Sequence, residues 1–247
     1  MNVRACDFDL SERVALVAGC SEAGVSLALA LGQSGAELVL SDSCAVRVQA
    51  AQATLKAEGI AAAGIPFQID GRDDAFELVN RVVSSHAKLD ILVNAQEQFL
   101  DKPAVDLTTE EWGYSLHVNL KVVFWTCQAA GKHMLARGEG SIINLSSLAA
   151  SLGFPNCVGF AASKGGVEQM TRTLGVEWIR RGVRVNAIAG WGEGLRRQLG
   201  ATGAERIPMG RFANAADLEG TAIYLASRAS AALSGQIIHV DGGYSAQ

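Results

Sequence analysis

Nowhere in this sequence does an uninterrupted apolar run reach the roughly 18 residues that a membrane-spanning helix requires. A secretory leader is not expected either. The opening "MNVRACDFDLSERVALV" carries Arg4, Asp7, Asp9, Glu12 and Arg13 where a leader would need its apolar core. These two absences exclude a membrane partner and predict a soluble, cytoplasmic protein. Excess positive charge is also lacking: 21 Lys and Arg stand against 25 Asp and Glu, a formal net charge of −4. The sequence pI near 5.6 agrees. A basic footprint for phosphate backbones is therefore absent, and nucleic acid is not an expected partner. The five cysteines, Cys6, Cys20, Cys44, Cys127 and Cys157, are odd in number and form no C-x-x-C pair. That excludes a disulfide framework and a thiolate metal site, and leaves each cysteine as a small core hydrophobe. His86, His117, His133 and His239 are dispersed without ligand spacing, so no metal is expected. Internal repeats and low-complexity linkers are missing too, which points to one domain over residues 1–247.

What is present suits a large core, with 49% hydrophobic and 19% charged residues. Short aliphatic or β-branched runs alternate with helical patterns. The runs are "RVALVAG" (13–19), "AELVLSD" (36–42), "LDILVNA" (89–95), "GSIINLSS" (140–147), "GVRVNAIAG" (182–190) and "GQIIHVDGG" (235–243). Such alternation predicts an α/β fold, a mostly parallel sheet covered by helices on both faces. Between the first two runs Gly24, Leu27, Ala28 and Leu31 share one helical face, and Gly35 can end that helix. The chain thus opens with a strand, a glycine-bearing turn and a helix. In a doubly wound fold, that turn is where a dinucleotide pyrophosphate meets backbone N–H groups.

Over its whole length the chain resembles the short-chain dehydrogenases/reductases. The segments "DILVNA", "VNLKVVFWTCQAA", "GSIINLSS", "ASKGGVEQMTRTLGVEW", "GVRVNAIA" and "GQIIHVDGG" follow in that family's order and spacing. The resemblance implies a single Rossmann-like domain with a seven-stranded sheet and hydride transfer between NAD(P) and an alcohol or carbonyl carbon. It also implies four catalytic roles. A tyrosine exchanges a proton with the substrate oxygen, a lysine lowers the tyrosine pKa, a serine binds that oxygen and an asparagine organises a relaying water. Carried onto this sequence, the serine is Ser147, the lysine Lys164, the asparagine Asn119, and the tyrosine position holds Phe160. Loss of a general acid removes about 10²- to 10⁴-fold in rate. Tyr114, Tyr224 and Tyr244 lie in other segments.

Three cofactor elements depart from the family pattern as well. The glycine turn reads "AGCSEAG", with Gly19 and Gly24 matching the first and last glycines only across a one-residue deletion, and with Glu22 at the middle position. A carboxylate there can satisfy helix N–H groups that a phosphate would use. At about 4 Å and an effective dielectric of 20 it would also repel a phosphate by roughly 4 kcal/mol. The N-N-A-G segment reads Asn94, Ala95, Gln96, Glu97, so a second acid replaces its glycine. After the sixth strand, "AGWGEGL" contains neither the family's proline nor its threonine. Asp42 ends the second strand, where the resemblance implies a carboxylate on the adenosine ribose that favours NAD over NADP; a solvated turn acid is the alternative. Ser147, Lys164 and Asn119 have a structural alternative too, holding backbone carbonyls and a strand end.

The resemblance implies oligomers built from helices near 109–137 and 158–181 and from the C-terminal strand. Val122, Val123, Trp125, Val167, Met170, Leu174 and Trp178 lie on those helices, in core or interface. Residues 190–212, with Trp191, Arg196, Arg197 and Met209, are expected over the substrate cleft. The leading expectation is a catalytically silent subunit in a hetero-tetramer with an active paralogue that carries the NAD, the altered elements arguing against NAD(P) binding by this chain itself. Silent subunits of this kind occur in hetero-oligomeric members of the family, including a hydroxyacyl-CoA dehydrogenase of anaerobic toluene (benzylsuccinate) degradation, which the chain resembles. The alternatives are an NAD(P)-dependent oxidoreductase, as a homo-tetramer, acting on an alcohol, ketone or 3-hydroxyacyl substrate despite Phe160, and a ligand-sensing protein of the same fold.

Overall fold

Period-two alternation distributes the first strand between two cores: Ala15 and Val17 face one helical layer, Val14 and Leu16 the other. This computed structural model describes residues 5–247, without the side chains at positions 5, 6 and 201. Seven strands, β1 (Val14–Ala18), β2 (Glu37–Asp42), β3 (Ala62–Pro66), β4 (Ile91–Asn94), β5 (Gly140–Ser147), β6 (Val183–Gly190) and β7 (Ile237–Val240), form one sheet in the order β3-β2-β1-β4-β5-β6-β7. Every neighbouring pair is parallel. β1, β4 and β5 are buried at every position, β1 as a continuous apolar run and β5 with Ser141, Asn144, Ser146 and Ser147 buried among its apolar residues.

One face is covered by α1 (Glu22–Gln33), α2 (Ala45–Ala57) and α8 (Glu219–Ala226), which bury Leu27, Leu31, Val48, Leu55 and Leu225. The other is covered by α3 (Arg72–His86), α5 (Val122–Arg137) and α6 (Val158–Trp178), with Leu78, Val82, Met134, Val167 and Trp178. Truncating a fully buried leucine in such a layer costs about 2–5 kcal/mol. Sequence signals set the helix ends. Ser21 caps α1 by accepting from Gly24 N–H, and Gly35, at φ +99°, follows its last turn. Thr108 and Glu111 form a capping box before α4 (Thr109–Leu116). A single wide π-helical turn, His117–Lys121, carries α4 into α5. At the amino end of β4 buried Asp90 accepts from Val14 N–H at 2.9 Å and pairs with Arg137 at 2.9 Å and Lys88 at 3.3 Å. Burial pushes this carboxyl up, but these partners outweigh burial and hold it below the usual carboxylate value.

Several expectations change at this level. The six runs correspond to β1, β2 and β4–β7, whereas β3 had no apolar run to reveal it. Its sequence, AAGIP, is an edge strand containing glycine and proline. Val122, Val123, Val167, Leu174 and Trp178 are core residues, with Trp125 and Met170 packed against them, while Phe124, Val158 and Val176 on the same two helices are exposed. Cys20, Cys127 and Cys157 are buried as expected but Cys44 is only half-buried, and the side chain of Cys6 lies outside the described residues. Arg4 also lies outside them. No helix among the described residues is long and apolar enough to cross a membrane.

Candidate functional site

The strand order reverses between β1 and β4, and a cavity of about 530 Å³ opens over the carboxyl ends of β2, β1 and β4. This is the position at which parallel α/β sheets bind ligands. Gly19, Cys20, Ser21 and Glu22 form its middle, Asp42, Arg47, Phe67 and Ile69 one end, and Gln96, Glu97, Gln98 and Glu193 the other. Gly19 sits at φ +103°, and a Cβ there would lie 2.5 Å from the Ala95 carbonyl carbon. A Cβ at Gly24 would overlap the Gly19 carbonyl oxygen. Both glycines are therefore required by the packing of turn on helix and strand, whatever the groove holds.

The groove's charges are committed to one another. Asp42 is neither a solvated turn acid nor a free carboxylate. It accepts from Cys20 N–H and Cys44 N–H, each at 2.9 Å, and from Arg47 at 2.6 Å. Burial raises its pKa, yet the Arg47 bond and the two backbone donors bring it below the ordinary value. Glu22 does not cap α1 as the sequence suggested, since Ser21 does so. Its carboxylate instead meets Arg196 of α7 (Glu193–Ala204) at 2.6 Å. Glu193 faces Arg197 at 3.7 Å, and Glu97 lies 4.0 Å from Lys164 Nζ. Asn94 turns away from the groove: it donates to Asn144 Oδ1 at 2.9 Å and accepts from Thr126 Oγ1 at 2.7 Å, entirely within the protein. That side chain holds β4 to β5 and α5.

Below the groove the four family positions are sealed, and two of them, Lys164 and Phe160, lie against each other. Phe160 is 2% exposed, and Ser147, Lys164 and Asn119 are completely buried. Each polar member is occupied by the protein. Lys164 Nζ donates to Leu145 O at 2.9 Å, and Ser147 Oγ accepts from Ala149 N–H at 3.3 Å. Asn119, at the centre of the π-helical turn, accepts from Gln98 N–H and donates to Gln98 O, both at 2.8 Å. Burial lowers the Lys164 pKa, and nearby Glu97 partly offsets that shift. The Lys164 ammonium sits 5.5 Å from the centroid of the Phe160 ring, where a phenol oxygen would otherwise take part in proton exchange.

Phe160 belongs to a small apolar core with Leu148, Cys157, Trp191, Leu195 and Ile207. Phe99 packs edge-on against it with ring centroids 5.0 Å apart, and Phe99 also closes on Gly194. Trp191 in turn lies edge-on to Phe212 at 5.0 Å and Tyr244 at 4.9 Å, and its indole N–H donates to Asp241 O. Residues 190–212 thus cover the cleft as expected, but what lies beneath them is ring-to-ring packing. Tyr114 lines the groove and Tyr244 reaches the apolar core, although neither is hydrogen-bonded to Ser147 or Lys164. The sequence did not reveal Phe99, the Arg196 partner of Glu22 or the Glu97 approach to Lys164, each of which is a contact between distant segments. Among the described residues no group of three or more His, Cys, Asp or Glu is placed to hold a metal ion.

Comparison with known proteins gives a consistent result. Residues 21–245 match the profile of the family described as enoyl-(acyl carrier protein) reductase. The chain is 32% identical over 245 residues to gluconate 5-dehydrogenase of Gluconobacter oxydans, covering 96% of each chain. It is 36% identical over 247 residues to 2-dehydro-3-deoxy-D-gluconate 5-dehydrogenase of Pseudoalteromonas atlantica, covering 96% of this chain and 97% of the relative. Among solved structures, gluconate 5-dehydrogenase from Burkholderia cenocepacia in complex with NADP and tartrate superposes with a TM-score of 0.91 at 32% identity, covering 99% and 100% of the two chains.

Proposed function

The chain belongs to the short-chain dehydrogenase/reductase family, and within it we propose a catalytically silent subunit that assembles with and supports an active NAD-dependent alcohol or hydroxyacyl dehydrogenase paralogue. The observation that carries this reading is the sealed reaction pocket. The proton-donor position is a phenyl ring, 2% exposed, inside an apolar core that Phe99 and Trp191 complete. Ser147 is completely buried, and the ring at Phe160 brings no hydroxyl to it. The groove supports the same reading. Arg47, Arg196 and Arg197 are each paired with a carboxylate, so a pyrophosphate would meet Glu22, Asp42, Glu97 and Glu193 with no free cation among the described residues lining it. In the proposed hetero-tetramer the NAD belongs to the partner.

A second reading is an NAD(P)-dependent oxidoreductase working through its own site. The activities named for the relatives and the NADP held by one of them support it more directly than they support a silent subunit. The groove's open 530 Å³ also favours it. Two measurements separate the readings. Calorimetric titration of the chain alone with NADH and NADPH is expected to give no binding up to about millimolar concentration, whereas the second reading requires micromolar binding. The substitution Phe160→Tyr is expected to leave alcohol and hydroxyacyl turnover at background. A gain of about 10²- to 10⁴-fold would establish a single repairable defect and a working enzyme.

A further inference from the structure

At the opposite pole of the sheet from the groove, a cavity of about 260 Å³ opens at the amino ends of the strands. Arg13, Asp90, Gly140 and Gly182, at or just before the starts of β1, β4, β5 and β6, line it together with Ser227 and Arg228, which follow α8. Its carboxylates are satisfied. Asp90 is held by Val14 N–H, Arg137 and Lys88, with Arg13 at 3.5 Å; Arg13 also meets Glu139 at 2.7 Å, and Asp9 accepts from the N–H and hydroxyl of Ser11. Two cations are left over, since Arg184 and Arg228 form no ion pair with a carboxylate among the described residues. Arg228 acts on Glu139 only at longer range. Arg184 donates from Nη1 to Ser230 Oγ at 2.6 Å and from Nη2 to Ser227 O at 3.1 Å, which fixes its guanidinium. Its Nε–H has no protein acceptor and, unlike the Nε of Arg196, is not sealed from solvent. Burial pushes the Arg184 pKa down to about 10, and the charge that persists at neutral pH is one that an anion would stabilise. Apolar atoms of Ile91, Ile179, Ala226 and Ala231 complete the lining.

We propose that this cavity binds a short-chain monocarboxylate, its carboxylate on Arg184 and Arg228 and its alkyl chain against Ile91, Ile179 and Ala231. A guanidinium fork matches a carboxylate in both charge and geometry. A dianion is disfavoured, because Asp9, Asp90 and Glu139 face the same space and repel a second negative charge. The volume lies below the roughly 300 Å³ at which pockets for drug-sized ligands begin, so a nucleotide is too large. The site is independent of whether the chain holds NAD, since it lies at the other end of the strands.

The test is an NMR titration of the intact chain, at constant ionic strength, with butyrate, its neutral isostere butyramide and inorganic phosphate. Butyrate is expected to bind in the millimolar range and to shift the Gly140 and Gly182 amides, with butyramide and phosphate each about tenfold weaker or more. Arg228→Gln alters an exposed side chain and is expected to weaken butyrate about tenfold, the equivalent of one charge-assisted hydrogen bond, with the fold intact. Arg184→Lys keeps the charge, removes the fork and is expected to weaken butyrate by at least as much. Should that variant fail to fold, Arg228→Gln decides the matter alone. Butyramide or phosphate binding as tightly as butyrate overturns the proposal. So does absence of butyrate binding, or binding that leaves Gly140 and Gly182 unshifted or is undiminished in Arg228→Gln. Each of these failures leaves the silent-subunit reading standing, because that reading is decided by NADH at the far end of the sheet.

Discussion

Two neighbouring regions of this protein are built in opposite ways. The groove over β1, β2 and β4 keeps its shape and about 530 Å³ of space, while the reaction pocket beside it is filled by rings. The difference follows from what builds each region. The groove is a backbone feature, set by strand order and by a turn in which Gly19 and Gly24 cannot accept side chains without overlap. Its shape persists as long as the sheet does. The pocket is a side-chain feature, and it closes once Phe160, Phe99 and Trp191 find one another. The groove's shape is therefore independent of the side chains that fill the pocket.

The comparison can be broken most decisively at Phe160. If the ring is a core residue, Phe160→Ala leaves a cavity and costs about 3–5 kcal/mol in chemical denaturation. A loss below about 1 kcal/mol would mean that the pocket is not sealed. Next in size is Gly24→Ala, expected to cost about 3 kcal/mol through overpacking against the Gly19 carbonyl. A neutral result would mean that the glycine is retained for a ligand and not for packing.

Acid sharpens the contrast further, because the groove region and the amino end of β4 depend on carboxylates where the pocket does not. Asp42 and Asp90 both have folded pKa values below the ordinary 3.8. For a lowered carboxyl the contribution to stability is full above the unfolded pKa and is lost as pH falls through the folded one. Denaturation midpoints should therefore hold above about pH 5 and fall below about pH 4, with Asp90→Asn reducing that slope. The smallest effect belongs to the Glu22–Arg196 pair. Glu22 is 54% exposed at its side chain, so a double-mutant cycle should return no more than about 1 kcal/mol and should shrink with added salt.

How far the sequence reaches depends on the range of the interaction involved. The parallel sheet, α1 with its Gly35 stop, and α6 around Phe160 were legible because each is encoded within a dozen or so consecutive residues, whereas the Ser21 cap of α1 was mistaken for Glu22. Phe160, at the position where the family resemblance implies a tyrosine, was legible for the same reason. β3 was not, because an edge strand of small residues has no hydrophobic period to read. The partner of Glu22 lies on α7, far along the chain, and nothing near Glu22 signals an arginine. Val122, Val123, Val167 and Leu174 illustrate the same limit from the other side: helical spacing shows which residues share a face, and only the packed neighbours decide whether that face meets the sheet or a second subunit.

The apolar core around Phe160 also dictates an order of events. Its rings come from the segment after β4, the approach to α6, the segment after β6 and the C-terminus, and none can meet the others until the strands that carry them are aligned. Closure of such long loops is entropically costly and comes late. Trp191, buried at the meeting point of those segments, is therefore placed to report by its fluorescence the last step of refolding, after the sheet has formed.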